Sequence, residues 1–271
     1  MYPLLFKIGS IPIHTYGFLI ALGFVMAMQV IKRLSLKSNL PVEKMLDLAF
    51  WNLIVGFTGA RVLFVITRFD YFISDPLSIF KVWEGGLVFF GGPLAAIPFT
   101  IYFTKKHKIS IWRAMDVLLP SLVAAHIFGR FGCLGAGCCY GRPTDVLWGI
   151  HLHSELVESS LRGLSLHPTQ LYEAFSLMVL FVFLLRVFKV KKFDGQVGLT
   201  YFICYPIIRS IIEVYRGDLI RGFVIEDVLS TSQFISILVF LSALFILIYR
   251  LKSLPQLDAN KKSNEFKPSK K

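Results

Sequence analysis

The chain has 271 residues, 55% of them hydrophobic and only 17% charged, with 26 phenylalanines. An ordinary soluble domain carries about 25% charged residues and a disordered chain is poor in aromatics, so the composition argues against both. The net charge of +12 in so apolar a chain makes the placement of the basic residues the informative quantity, because cytoplasmic loops of membrane proteins collect them.

Seven apolar stretches follow one another, at 13–31, 46–67, 85–104, 114–136, 169–188, 197–215 and 227–249. Each is close to the roughly 20 residues that a helix needs to cross hydrocarbon. Only Lys7 precedes the first stretch and no small-residue cleavage site follows it, so it is expected to be a retained span rather than a removed signal peptide. Lys32, Arg33, Lys37 and Lys44 lie between the first two stretches, and Lys105, Lys106, Lys108 and Arg113 between the third and fourth. Arg186 at the end of the fifth and Lys189, Lys191 and Lys192 beyond it lead to the sixth; Arg250, Lys252, Lys261, Lys262, Lys267, Lys270 and Lys271 follow the seventh. The bias predicts an all-α polytopic membrane protein with seven transmembrane helices, the N-terminus outside and the C-terminus cytoplasmic. Residues 1–252 form the membrane domain, 137–168 a small outer element between helices four and five, and 253–271 a disordered basic cytoplasmic tail. No internal repeat is visible, which gives no support to a transporter built from repeated halves.

A charge near the bilayer centre costs at least ~2.5–3.5 kcal/mol, so polar residues inside the stretches are candidates for function. In chain order the first group is His14-Thr15-Tyr16-Gly17 at the outer mouth of span one, where Tyr16 also fits an interfacial anchor. Arg61, within Gly59-Ala60-Arg61, fits an ion-pair partner or a headgroup contact. In span four His126 and Arg130 share a helix face. Glycines at 129, 132, 135, 137 and 141 leave the surroundings of Arg130 free of side chains for a ligand, or else let helices approach. Cys133, Cys138 and Cys139 fit a disulfide or simple packing; their spacing is poor for zinc and no fourth ligand is evident nearby. In His167-Pro168-Thr169-Gln170-Leu171-Tyr172-Glu173, Pro168 marks a helix start, and Glu173 reads as a carboxylate favoured by the helix dipole. Arg209, Glu213 and Arg216 follow at i, i+4 and i+7, with Glu213 able to pair either arginine. Arg221 reads as a solvated loop residue. Arginine pairs bidentately with phosphate and keeps its charge, so Arg130, Arg209 and Arg216, on the outer half by the charge bias, suit an anionic lipid headgroup.

These landmarks, with Trp83-Glu84-Gly85-Gly86-Leu87, Gly91-Gly92 and Ser230-x2-Gln233, resemble in order and spacing the prolipoprotein diacylglyceryl transferase family over nearly the whole chain. The resemblance implies a bacterial inner-membrane enzyme. It would move the diacylglyceryl group of phosphatidylglycerol to the lipobox cysteine of a prolipoprotein signal peptide, make a thioether and release glycerol phosphate. By the same resemblance Tyr16, Arg130, Arg209 and Glu213 would be catalytic. Arg130, Arg209, Arg216, Arg61, Gly141 and His14 would bind phosphatidylglycerol, with no metal, no organic cofactor and no nucleic acid. Two departures stand out: Phe90 occupies a position where the family usually has His, and Cys133 and Cys138 replace its usual Asn and Glu, as in a cysteine-bearing variant. With Phe90 there, His126, His167, Glu213 or water are left as candidate bases. The competing reading is a diverged, non-catalytic relative that binds or moves anionic phospholipid.

Overall fold

The computed structural model describes residues 4–8, 11–81, 85–217, 223–225 and 229–265. Trp83, Glu84, Arg221, Lys267, Lys270 and Lys271 fall outside these described residues. The contacts divide the chain into two units, Met1–Met26 with Leu122–Lys271 and Ala27–Ser121.

The first unit begins with an antiparallel hairpin, β1 (Leu4–Ile8) and β2 (Ile11–His14), which the apolar pattern did not separate from the first span. It leads into α1 (Thr15–Lys37). The C-terminal part of α5 (Ile111–Ala136) lies against the start of α1. A Cβ added at Gly23 would sit 2.9 Å from the carbonyl oxygen of Ala125, one at Gly132 3.1 Å from the Tyr16 ring, and one at Gly135 2.8 Å from the Thr15 methyl. The span-four glycines therefore let α1 approach; they do not open free space around Arg130, and the expectation of an uncovered glycine patch is corrected.

After α5 the chain forms a small element, with β3 (Ile150–His151) paired antiparallel to β4 (Ser165–Leu166). Its core is Tyr140, Leu152, Val157 and Leu166. Next come α6 (Thr169–Val190) and α7 (Gln196–Tyr215). The short pair β5 (Phe223–Ile225) and β6 (Leu229–Ser230) precedes α8 (Thr231–Glu265). Within this unit α7 packs on both α6 and α8. The Ser230-x2-Gln233 landmark is a capping box: the Gln233 amide donates to the Ser230 hydroxyl and the Ser230 amide to the Gln233 side chain, both at 3.1 Å, satisfying donors that a helix start leaves open. The backbone of α8 is helical to Glu265, in the part of the chain that the sequence reads as a disordered tail.

In the second unit α2 (Val42–Thr67) is followed by α3 (Phe69–Ser74), a 3-10 turn (Pro76–Phe80) and α4 (Gly91–Lys106). Helices α2 and α4 run in close contact. A Cβ on Gly59 would strike Ala95 and the Gly91 carbonyl, and Asn52 and Thr100 exchange hydrogen bonds of 2.9 and 3.0 Å. The third apolar stretch is thus only partly helical. Gly85 (φ 89°) and Gly86 (φ 79°) hold the left-handed conformations that only glycine adopts freely, and the helix starts at Gly91. Its 16 residues extend about 24 Å at 1.5 Å per residue, short of the ~30 Å hydrocarbon core. Among the described residues six helices are long and apolar enough to cross a membrane: α1, α2, α5, α6, α7 and the Thr231–Ser253 part of α8.

Arg61 of α2 is buried and serves the loop between the 3-10 turn and α4. Its Nε donates to the Ile79 carbonyl at 3.0 Å. One terminal nitrogen donates to Gly85 at 2.6 Å and Gly86 at 2.9 Å, the other to Ser78 at 2.7 Å and Lys81 at 3.4 Å. All five N–H groups of a guanidinium are therefore committed to backbone carbonyls, with Phe64 and Phe72 about its faces at 5.5 and 5.6 Å. The expectation of a headgroup contact is replaced by that of a loop clamp, since nothing remains on the guanidinium to donate to a phosphate. Arg61→Lys, with three donors for five carbonyls, should destabilise the protein by at least ~1–3 kcal/mol, checked as a fall in the thermal unfolding midpoint of the detergent-solubilised protein.

Candidate active site

Three helices of the first unit meet at one carboxylate. Glu173, one turn into α6, is only 1% exposed. Its Oε1 lies 2.8 Å from an Arg130 terminal nitrogen, and its Oε2 4.0 Å from Arg209. The Tyr205 hydroxyl donates to Oε1 at 3.3 Å. Arg209 also pairs with Glu213 one helical turn further along α7. The Nε of Arg130 donates to Nε2 of His126 at 3.2 Å, so that lone pair is occupied and the ring is neutral with its proton on Nδ1. Two guanidinium groups and two carboxylates balance here, which is how a low-dielectric interior retains charge.

The expected i, i+4, i+7 face on α7 is realised only in part. The helix ends at Tyr215, and Arg216 follows in extended backbone (φ −73°, ψ 142°), so it leaves the face that Arg209 and Glu213 share. Instead its backbone is stitched to the segment after α5. Gly141 forms an isolated bridge with Arg216, the Arg142 amide donates to Tyr215 at 2.9 Å, and the Gly217 amide donates to Tyr140 at 3.2 Å. The Arg142 side chain adds a bond to the Arg216 carbonyl at 3.1 Å. Gly141 is needed for this approach: a Cβ there would lie 2.5 Å from His167 and 2.7 Å from the Tyr215 carbonyl. Its bare α-carbon is what lets the Arg216 backbone come alongside.

The cysteines sit beside these arginines. Gly137 (φ 77°) closes α5, its amide and that of Cys138 both bonding the Cys133 carbonyl, at 2.9 and 3.1 Å, in the manner of a left-handed helix cap. Gln170 and Thr169 at the start of α6 then bond the carbonyls of Cys138 and Cys139, each at 2.7 Å. Cys139 itself has φ 61°, uncommon for a residue with a side chain. The three sulfurs lie within 4.8 Å of one another, and all three cysteines are half-buried and outside any disulfide. Hydrogen bonds from Cys133 and Cys138, helped by Arg216 and Arg130, pull the Cys139 thiol well below its ordinary range against the cost of burial. A hydrogen bond with Cys133 draws Cys138 down, but its bond to Cys139, burial and the charge of Cys139 outweigh this and leave it at about 11.

Tyr16, in the first turn of α1, is 46% exposed. Its ring lies over Gly132. His14 ends β2, exposed, just before it. The fold thus brings together Tyr16, Arg130, Arg209, Glu213, Gly141 and Arg216 in the first unit, while Arg61 belongs to the second. Sequence reasoning underrated Glu173 and omitted Tyr205. The missed signal was a carboxylate inside an apolar span of a chain that also carried two intramembrane arginines, each needing a counter-charge. His167 bonds the Tyr172 hydroxyl through Nδ1 at 3.1 Å, and that hydroxyl also accepts from Trp148 at 2.8 Å.

Six apolar helices of spanning length, with arginines and carboxylates paired inside them, define a polytopic membrane protein with a buried charged centre. The chain belongs to the prolipoprotein diacylglyceryl transferase family, whose model matches residues 3–249. It is similar to the phosphatidylglycerol–prolipoprotein diacylglyceryl transferase of Oceanobacillus iheyensis, 32% identical over 261 residues that cover 93% of this chain and 90% of that protein. The enzyme of the same name from Clostridium tetani is 33% identical over 246 residues, covering 91% of this chain and 96% of the relative.

Glu173→Ala takes from buried Arg130 the carboxylate it pairs with and leaves Arg209 with Glu213, and should cost about 3–5 kcal/mol. The check is the thermal midpoint in detergent, with Glu173→Gln expected to lie between this variant and wild type.

Proposed function

We propose that this chain transfers the diacylglyceryl group of phosphatidylglycerol to the lipobox cysteine of prolipoprotein signal peptides, releasing glycerol phosphate. The observation that carries the reading is the buried array Arg130–Glu173–Arg209–Glu213, fixed before any substrate arrives. As the substrate's glyceryl–oxygen bond breaks, charge gathers on the phosphate oxygen. Guanidinium groups already aimed at that position stabilise the transition state more than the ground state. Arg130 and Arg209 are assigned to the phosphate, Glu173 and Glu213 hold them in place, Arg216 adds a third positive charge, and Tyr16 with His14 borders the entry to the site. The names of the relatives support both substrates.

The assigned topology has seven spans, with α4 completing the set as a short crossing, the N-terminus outside, and the lysine-rich tail, 253–271, cytoplasmic. The charge bias along the sequence supports this arrangement, as it does an outer-facing element at 137–168 and a catalytic centre open to the outer leaflet of the bacterial cytoplasmic membrane. His126 orients Arg130 instead of serving as base, since its Nε2 accepts from that arginine.

Incubating the purified protein with phosphatidylglycerol and a lipobox peptide should yield lipidated peptide and free glycerol phosphate. Bound phospholipid without transfer would instead make it a phospholipid-binding member of the family. Arg130→Ala should lower transfer by at least ~10²–10³-fold when rates are normalised to the folded protein recovered. Arg209→Lys keeps the charge but loses the planar fork and should also fall well below wild type; wild-type rates in either variant would remove that arginine from the mechanism.

A further inference from the structure

We propose that Cys133, Cys138 and Cys139 form a three-sulfur zinc site whose fourth position receives the thiol of the lipobox peptide. The inference rests on the transferase reading above and supplies its missing step, the activation of the nucleophile. The sulfurs lie within 4.8 Å of one another. A tetrahedral zinc with Zn–S bonds of ~2.3 Å needs sulfurs about 3.8 Å apart, a distance that small side-chain rotations supply. The backbone that carries them is fixed: the Gly137 cap and the bonds from Gln170 and Thr169 hold all three ligands on one turn. The sequence argued against zinc because the spacing was irregular and a fourth ligand lacking. The left-handed residues Gly137 and Cys139 bring the sulfurs together despite the spacing, and three protein ligands with one open position is the pattern of a catalytic rather than a structural zinc.

The charges fit as well. Three thiolates around Zn²⁺ leave one net negative charge, and the same segment is stitched to the backbone of a cation, Arg216, through Gly141. The site also answers a chemical need. The thiolate is the nucleophile, yet the candidate bases are engaged: His126 by Arg130, Glu213 by Arg209 and His167 by Tyr172. A thiol that binds zinc loses its proton outright, here to water. Its sulfur then supplies an electron pair to the glyceryl carbon. The S–C bond forms, the C–O bond to phosphate breaks, and the bonding pair leaves on the phosphate oxygen beside Arg130 and Arg209. The product thioether carries no charge to hold it on the metal and gives up the fourth position.

The test uses full-length protein purified in detergent without chelators. Elemental analysis should find about one zinc per chain, as a single site requires. A Cys133→Ser/Cys138→Ser variant should have lost it. Cobalt-loaded wild type should show thiolate-to-cobalt charge-transfer absorption that intensifies with a lipobox peptide containing cysteine and not with its serine counterpart. Stripping the metal should abolish lipid transfer, and added zinc should restore it. If the serine variant does not fold, the cobalt spectra of wild type still decide. The proposal is overturned by wild type that takes up no zinc, by zinc retained in a folded serine variant, by a disulfide among the three cysteines in active protein, or by a cobalt spectrum indifferent to the peptide. Undiminished transfer by metal-free protein overturns the zinc step alone, whereas zinc-loaded protein that answers the peptide spectrally but lipidates nothing overturns the transferase reading.

Discussion

A single buried carboxylate organises the centre of this molecule. Glu173 offers one oxygen to Arg130 and the other to Arg209, on two other helices. With Glu173 only 1% exposed, each of these charges depends on the others for its place. The cost of bringing such groups inside is offset by their mutual neutralisation.

The remainder of the first unit can be understood as support for that centre. The glycine seam brings Tyr16 against α5 beside the sulfur cluster. The stitch of Gly141 and Arg142 to Tyr215 and Arg216 ties the chain leaving α5 to the chain leaving α7, fixing the third arginine with backbone bonds that no side-chain rearrangement can undo. In the second unit Arg61 does comparable work in reverse: a cation inside an apolar helix is neutralised by carbonyl dipoles, and through them it shapes a loop rather than a ligand site.

Much of this architecture was legible in the amino-acid order. Hydropathy located α2, α5, α6 and α7 within a few residues of their observed ends, because burial in hydrocarbon imposes a length and a polarity that neighbouring residues report directly. The stretch at 85–104 was over-read, since Gly85 and Gly86 add little to hydropathy but take left-handed conformations that stop a helix. Glu173 looked ordinary at a helix start because its partners are more than 30 positions away in the chain on either side. The glycines around Arg130 looked like open space, since a sequence shows a missing side chain but not the helix that covers it. Arg216 was assigned to a helical face on a spacing that holds only while the helix continues. The proximity of the sulfurs was hidden for a similar reason: it depends on two left-handed residues, one of which, Cys139, is not of a type that advertises such a conformation.

That left-handed cysteine has a thermodynamic corollary. Holding a residue with a β-carbon at φ 61° costs roughly 1–2 kcal/mol, a burden that a glycine would shed while still closing the turn. The chain therefore forgoes available stability at 139, a cost that the surrounding bonds to the Cys138 and Cys139 carbonyls must offset.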